Sequence, residues 1–190
     1  MNKILFTILT FFCLTIASVS QTPKVPLELQ IPLFNKIFQY ERNITSCDKE
    51  KITVGIVYQS HIRKSQYCRN ECVKHFSGVN QYIGNKRISL VDINIVDPSD
   101  ISVLNTHIGL DIIVICPLRS IDLREISKLC KSGSIITYSL IPSYVFDYNL
   151  SVAIESIEAK PQITINLKSA RQEGANFSSQ LLKLAKVINK

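Results

Sequence analysis

Asp111-Ile112-Ile113-Val114-Ile115-Cys116 runs apolar without a break behind its aspartate. A strand with one wet face alternates, whereas one covered on both faces reads as a continuous apolar run, as a central parallel strand does. Downstream, Ser120 is expected to open a helix whose Leu123, Ile126, Leu129 and Cys130 share a face. Gly133 ends it, and Ser134 to Ser139 is the next strand. Upstream, Arg87 to Val96 is a strand with Val91, Ile93 and Ile95 on one side, and Asp97-Pro98-Ser99-Asp100 is a turn able to cap a short helix. Before it come a strand over Ile52 to Tyr58 and a helix within 60–77. Leu27 to Tyr40 reads as helical in its second half, with Leu33, Phe34, Ile37 and Phe38 on one face, because Pro32 fits only near a helix start. Two last strands near 150–157 and 162–166 are joined at Ala159-Lys160-Pro161. Strand and helix in alternation, closed by a hairpin, predict an α/β fold. The expected architecture is a single domain: a mixed, mostly parallel sheet with flanking helices and a C-terminal β-hairpin plus amphipathic helix.

The end of the chain is the most specific segment. Ile163 and Ile165 alternate with Thr164 and Asn166, and Asn166 is placed to cap the next helical turn. Gly174 supplies a left-handed stop. From Asn176 onward, Phe177, Leu181, Leu184, Ala185 and Ile188 recur on one helical face, with Lys183, Lys186 and Lys190 towards its negative end. This order resembles the end of the YfiR/HmsC-like family of secreted bacterial regulators, which reads "I-x-I-N-L, then A-x-x-x-G-x-x-F-S-x-x-L-L-x-L-A". Ile163, Ile165, Asn166, Leu167, Ala170, Gly174, Phe177, Ser178, Leu181, Leu182, Leu184 and Ala185 carry the match. The likeness continues more faintly over Leu29 to Tyr58, 111–116 and 134–139, and is thinnest between 60 and 86.

The resemblance implies a YfiR-like domain over 27–190. It further implies a non-enzymatic periplasmic repressor, without cofactor, that binds the periplasmic domain of an inner-membrane signalling protein, a diguanylate cyclase. Cyclic di-GMP output and biofilm formation would then be what it controls, with a homodimer left open. The alternative is a periplasmic ligand-binding accessory module of an uptake receptor or histidine kinase.

Lys3, the apolar run Ile4 to Ala17 and the small residues of Ser18-Val19-Ser20 predict a cleaved signal peptide over 1–20 and export to the periplasm, with 21–26 as a linker. The run is shorter than the roughly 20 apolar residues a membrane span takes. Net charge is +7. The basic residues are scattered and no tryptophan is present, which argues against nucleic acid, since that partner calls for a concentrated basic stripe. Three sequons, at Asn43, Asn149 and Asn176, read as coincidence. No G-x-S-x-G, H-E-x-x-H or glycine-rich phosphate loop occurs.

Five cysteines follow the leader: Cys47, Cys68, Cys72, Cys116 and Cys130. Cys116 and Cys130 are expected to be small buried residues. If a bridge forms, Cys47–Cys72 is the candidate, with Cys47–Cys68 next. His61, Cys68, Cys72 and His75 fall on one side of a helix, but His61 lies roughly 10 Å along the axis from Cys68, too far to share an ion. Ligands of open α/β sheets gather beyond the carboxyl ends of parallel strands. That places a candidate anion-binding rim at Tyr58, Ser60, Arg119 and Ser120, with Ser60 and Ser120 near helix starts and Arg119 offering a bidentate fork.

Overall fold

The computed structural model describes residues 23–77, 81–107 and 109–189. The signal peptide expected over 1–20 therefore lies outside the described residues, as does Lys190. In chain order the elements are α1 (Leu27–Gln39), α2 (Arg42–Ser46), β1 (Lys51–Tyr58), α3 (Arg63–His75), β2 (Tyr82–Ile83) and β3 (Lys86–Asn94). A 3-10 turn (Pro98–Ser102), α4 (Val103–Thr106), β4 (Ile112–Ile115), α5 (Leu123–Gly133), β5 (Ile136–Ser139) and α6 (Ser143–Asp147) follow. The chain continues through β6 (Val152–Ile157), β7 (Lys160–Asn166), α7 (Leu167–Gln172), α8 (Ser179–Leu184) and β8 (Lys186–Ile188).

The strands form one sheet in the order β2-β3-β1-β4-β5-β6-β7-β8. From β3 through β1, β4 and β5 to β6 every pairing is parallel, and β7 with β8 is parallel too. The β2–β3 and β6–β7 pairings are antiparallel. This is the mixed, mostly parallel α/β architecture the sequence predicts.

The unbroken apolar run of β4 is explained by the two cores it serves. Ile112, Val114 and Cys116 belong to one buried cluster, with Phe34, Phe38, Cys68 and Cys72 of α1 and α3. Ile113 and Ile115 belong to the other, with Leu123, Ile126 and Cys130 of α5. Alternate residues of a strand point to opposite faces, so both faces of β4 are covered by helices. Phe34 anchors the first core: its ring centroid lies 4.6 Å from Phe38, 5.2 Å from Phe76 and 5.1 Å from Tyr138. The Tyr138 hydroxyl donates to Gln30 Oε1 at 3.0 Å, and Gln30 Nε2 donates to the Val25 carbonyl at 2.8 Å, so the buried polar atoms are paired.

Several local expectations are corrected. Pro32 does not mark a helix start; α1 begins at Leu27 and runs through it. An interior proline costs roughly 3 kcal/mol. Ile31, Phe34, Ile37 and Phe38 are fully buried on the same helix, at about 1.5–3 kcal/mol each, so packing overrides the break. The hairpin turn is Glu158-Ala159, both left-handed at φ 49° and 60°, the backbone of a two-residue type I′ turn. Lys160 and Pro161 lie inside β7, opposite Ile157 and Ser156. Pro161 is tolerated there because β8 pairs only with Thr164 to Asn166.

The last helix is six residues long, capped by Ser178, whose Oγ accepts from Leu181 N at 3.3 Å. After it the chain turns extended, and Lys186–Ile188 becomes a strand beside β7. Leu184, expected on the buried face, is 67% exposed. Asn166 and Gly174 do what their types predict: Asn166 Oδ1 accepts from Ser169 N at 3.2 Å, and Gly174 holds φ 81°.

The chain ends are sewn together. The Glu41 carboxylate, fully buried, accepts from Ile44 N and from Asn176 N, each at 2.5 Å. Arg42 N donates to the Asn176 carbonyl at 3.0 Å and Ser178 N to the Tyr40 carbonyl at 2.9 Å.

Candidate functional site

The loops after β1 and β4 meet beyond the carboxyl ends of those strands through a residue the sequence reading passed over. Gln59 is buried; its Nε2 donates to the Arg119 carbonyl at 3.0 Å and its Oε1 accepts from Arg119 N at 2.6 Å. Gln59 N in turn donates to Ser65 Oγ at 2.9 Å. A second clasp joins the same loop to the end of β3: Ser60 N donates to Asn94 Oδ1 at 2.9 Å, and Asn94 Nδ2 donates to Ser60 Oγ at 3.1 Å. The Tyr144 hydroxyl braces the β4 loop by accepting from Leu118 N and donating to the Leu118 carbonyl, both at 3.2 Å. An amide side chain on the first residue after an apolar strand was the available signal for Gln59, since two donors and an acceptor at a strand end call for partners.

The four predicted rim residues thus stand at one end of the sheet but in different roles. Tyr58 packs under the Arg69 guanidinium, 5.8 Å from its ring centre. Arg69 also forms a two-bond ion pair with Asp92, which holds its pKa above the usual guanidinium value. Ser60 is engaged by Asn94. Arg119 and Ser120 are exposed. Neither serine caps a helix: α3 starts at Arg63 behind Ile62, and Asp122 caps α5 by accepting from Arg124 N at 2.9 Å. Ser120 instead holds left-handed backbone at φ 56°. The rim therefore offers one exposed guanidinium on rigidly clasped loops, not a pair of open helix ends.

The face of α3 divides its metal-type side chains. Cys68 and Cys72 turn into the core, while His75 Nε2 meets Glu71 Oε2 at 3.3 Å and His61 is exposed. Cys72 and Cys116 share the same buried cluster, and burial, reinforced by Cys72, pushes the Cys116 thiol well up. Burial pushes Cys68 up to about 12. Cys47 has other neighbours: Lys86 Nζ donates to its carbonyl and, at 3.2 Å, to its sulfur. The five cysteines among the described residues are thiols. Cys116 and Cys130 lie in opposite cores, which separates them across the sheet. A groove of about 580 Å³ opens over Cys68, walled by Val25, Leu27 and Tyr67 with Arg63 and Lys64 at its margin.

At the opposite end of the sheet, Asp111 accepts from Lys49 Nζ at 2.6 Å and from Thr53 N at 2.8 Å. Behind it Glu173 is fully buried between β5 and β6. Its carboxylate accepts from Thr137 N at 2.8 Å, Thr137 Oγ1 at 2.9 Å and Ser151 Oγ. Burial nevertheless pushes it up to about 7.

No family model and no curated protein matches the chain. Solved structures share its fold. An ABC domain in complex with L-Trp from Streptococcus pneumonia superposes with TM-score 0.60 at 14% identity, covering 86% of this chain and 62% of that one. A conserved domain protein from Vibrio cholerae gives TM-score 0.61 at 13% identity, covering 85% and 60%. The ligand-free, open structure of CD0873, a substrate binding protein with adhesive properties from Clostridium difficile, gives 0.56 at 10% identity, covering 86% and 60%. The chain thus spans about three fifths of the length of each of these structures.

Proposed function

We propose that this chain is an exported ligand-binding module that serves an uptake receptor or a signalling kinase. The observation that carries this reading is the superposition of 86% of the chain on an L-Trp complex and on a substrate binding protein. The clasped loops beyond β1 and β4 support it, because binding groups work best when their backbone is fixed before the ligand arrives. Export rests on Lys3, the apolar run Ile4 to Ala17 and Ser18-Val19-Ser20. Arg119 is the residue assigned to an anionic ligand group at this rim. Calorimetry of residues 21–190 against a panel of amino acids and short anionic envelope fragments tests the reading. Binding by wild type with at least a tenfold loss in Arg119→Ala is the expected result, and equal affinities would remove the rim as the site.

A second reading is favoured by one observation, the Ile163 to Ala185 pattern of the YfiR/HmsC-like family, whose Asn166 and Gly174 form the cap and the left-handed stop. In that reading the module represses a membrane diguanylate cyclase. Deleting the gene would then raise cyclic di-GMP, and unchanged levels in a strain with such cyclases would return the weight to ligand uptake.

A further inference from the structure

Asn149 precedes β6, Asn166 ends β7 and Asn189 follows β8. Because β6 is antiparallel to β7 and β7 is parallel to β8, the three asparagines gather at one end of three neighbouring strands. They line a polar cavity of about 530 Å³, together with Lys131 of α5 and Lys168, Ser169 and Gln172 of α7. Its size falls within the roughly 300–1,000 Å³ common for small-molecule sites. It lies at the end of the sheet away from Arg119.

Two independent features point to a ligand. The first is charge: two lysines and no carboxylate line the cavity among the described residues, and neither lysine has an ion-pair partner within 4 Å there, Lys131 acting only at longer range on the buried Glu173. Glu173, which follows Gln172, turns inward to Thr137 and Ser151. The second is an orphaned donor. Asn166 is fully buried, its Oδ1 is committed to Ser169 N, and its Nδ2 has no acceptor. Flipping the amide would break the cap, so the orientation is fixed by the hydrogen-bond network. A buried N–H without an acceptor is uncommon and calls for a partner.

We infer that this cavity binds a small hydroxylated oxyanion, a carboxylate or phosphate carried on a sugar-sized skeleton. Lys131 and Lys168 hold the anion, Asn166 Nδ2 donates to one of its oxygens, and the amides of Asn149, Gln172 and Asn189 serve the hydroxyls, each able both to donate and to accept. The inference goes beyond the Arg119 rim and stands whether or not that rim binds.

The test is calorimetry of the mature chain with glucose 6-phosphate, glucuronate and neutral glucose, on wild type, Asn166→Asp, Lys168→Gln and Arg119→Ala. Asn166→Asp keeps the capping oxygen and replaces the orphaned donor with a second acceptor, so α7 stays capped while the anion is repelled. Lys168 is exposed, and its variant folds even if Asn166→Asp does not. Binding of one or both anions is expected, at least tenfold weaker in Asn166→Asp and in Lys168→Gln, and at least tenfold weaker for glucose. Absence of anion binding by wild type, equal binding of glucose, or undiminished affinity in folded Asn166→Asp or in Lys168→Gln would overturn it. Loss in Arg119→Ala alone would overturn it in favour of the rim.

Discussion

At the residue scale, Glu173 is a carboxylate surrounded by donors that favour its charge, and burial still outweighs them. Its pKa, pushed up from 4.5 to about 7, means the folded protein keeps this proton to higher pH than the unfolded chain. The contribution to stability is therefore full below about pH 4.5, falls as pH rises towards 7, and is flat beyond. The whole window is worth on the order of 3 kcal/mol. Urea midpoints measured from pH 4.5 to 8 should fall for wild type and lose that slope in Glu173→Gln; parallel slopes would mean another group titrates. The thiols give a second prediction. Cys72 and Cys116 lie in the same buried core, whereas Cys47 sits against Lys86. Both core thiols are fully buried and that of Cys116 is pushed up, so mild oxidation of the folded protein should leave them reduced on non-reducing peptide mapping, and a Cys47–Cys72 peptide would contradict the packing. Spacing along the chain could nominate Cys72 but not its neighbour, because Cys116 arrives from another strand.

At the scale of elements, β1 shows how tightly the central strands are covered. A Cβ added at Gly55 would come within 2.7 Å of Ile93 Cδ1, 3.1 Å of Leu110 Cδ2 and 3.3 Å of Ile113 Cγ2. Gly55→Ala should therefore destabilise by about 1–3 kcal/mol, read from the denaturant midpoint, although alanine suits a strand backbone at least as well as glycine. A neutral or stabilising result would mean that face is looser than its burial implies. Elements with a clear period were legible in the sequence: β4 from its unbroken apolar run, α5 from Leu123, Ile126 and Cys130, the Asn166 cap from its side-chain oxygen. Elements decided by a distant neighbour were not. Ile188 continues a helical pattern on paper, yet β7 recruits it, with Val187, as a strand partner. Pro32 looked like a boundary because the aromatic core that carries α1 past it is assembled from Phe76, just after α3, and Tyr138 of β5. The candidate rim was legible as a place, since strand ends follow from strand order. Its Gln59 and Asn94 clasps were not, because they join residues far apart in sequence.

At the scale of the whole molecule, Glu41 ties the first helices to the last segment. Glu41→Ala leaves Ile44 N and Asn176 N without their acceptor and should cost roughly 3 kcal/mol. Hydrogen exchange should then quicken together over 41–46 and 175–188; acceleration confined to the first stretch would show that the two ends are held separately. The outermost strands carry a different consequence. β2 spans two residues and β8 three, and Lys186 of β8 is tied back to Glu155 at 3.0 Å. β2 covers only Lys86 and Arg87 of β3, so from Ile88 to Asn94 that strand has no outer strand partner among the described residues, and a further backbone would find its template there. At the other margin β8 covers Thr164 to Asn166 of β7 and Pro161 withholds a donor from the stretch before them, so an added strand, from a copy or a partner, is directed to the β3 side.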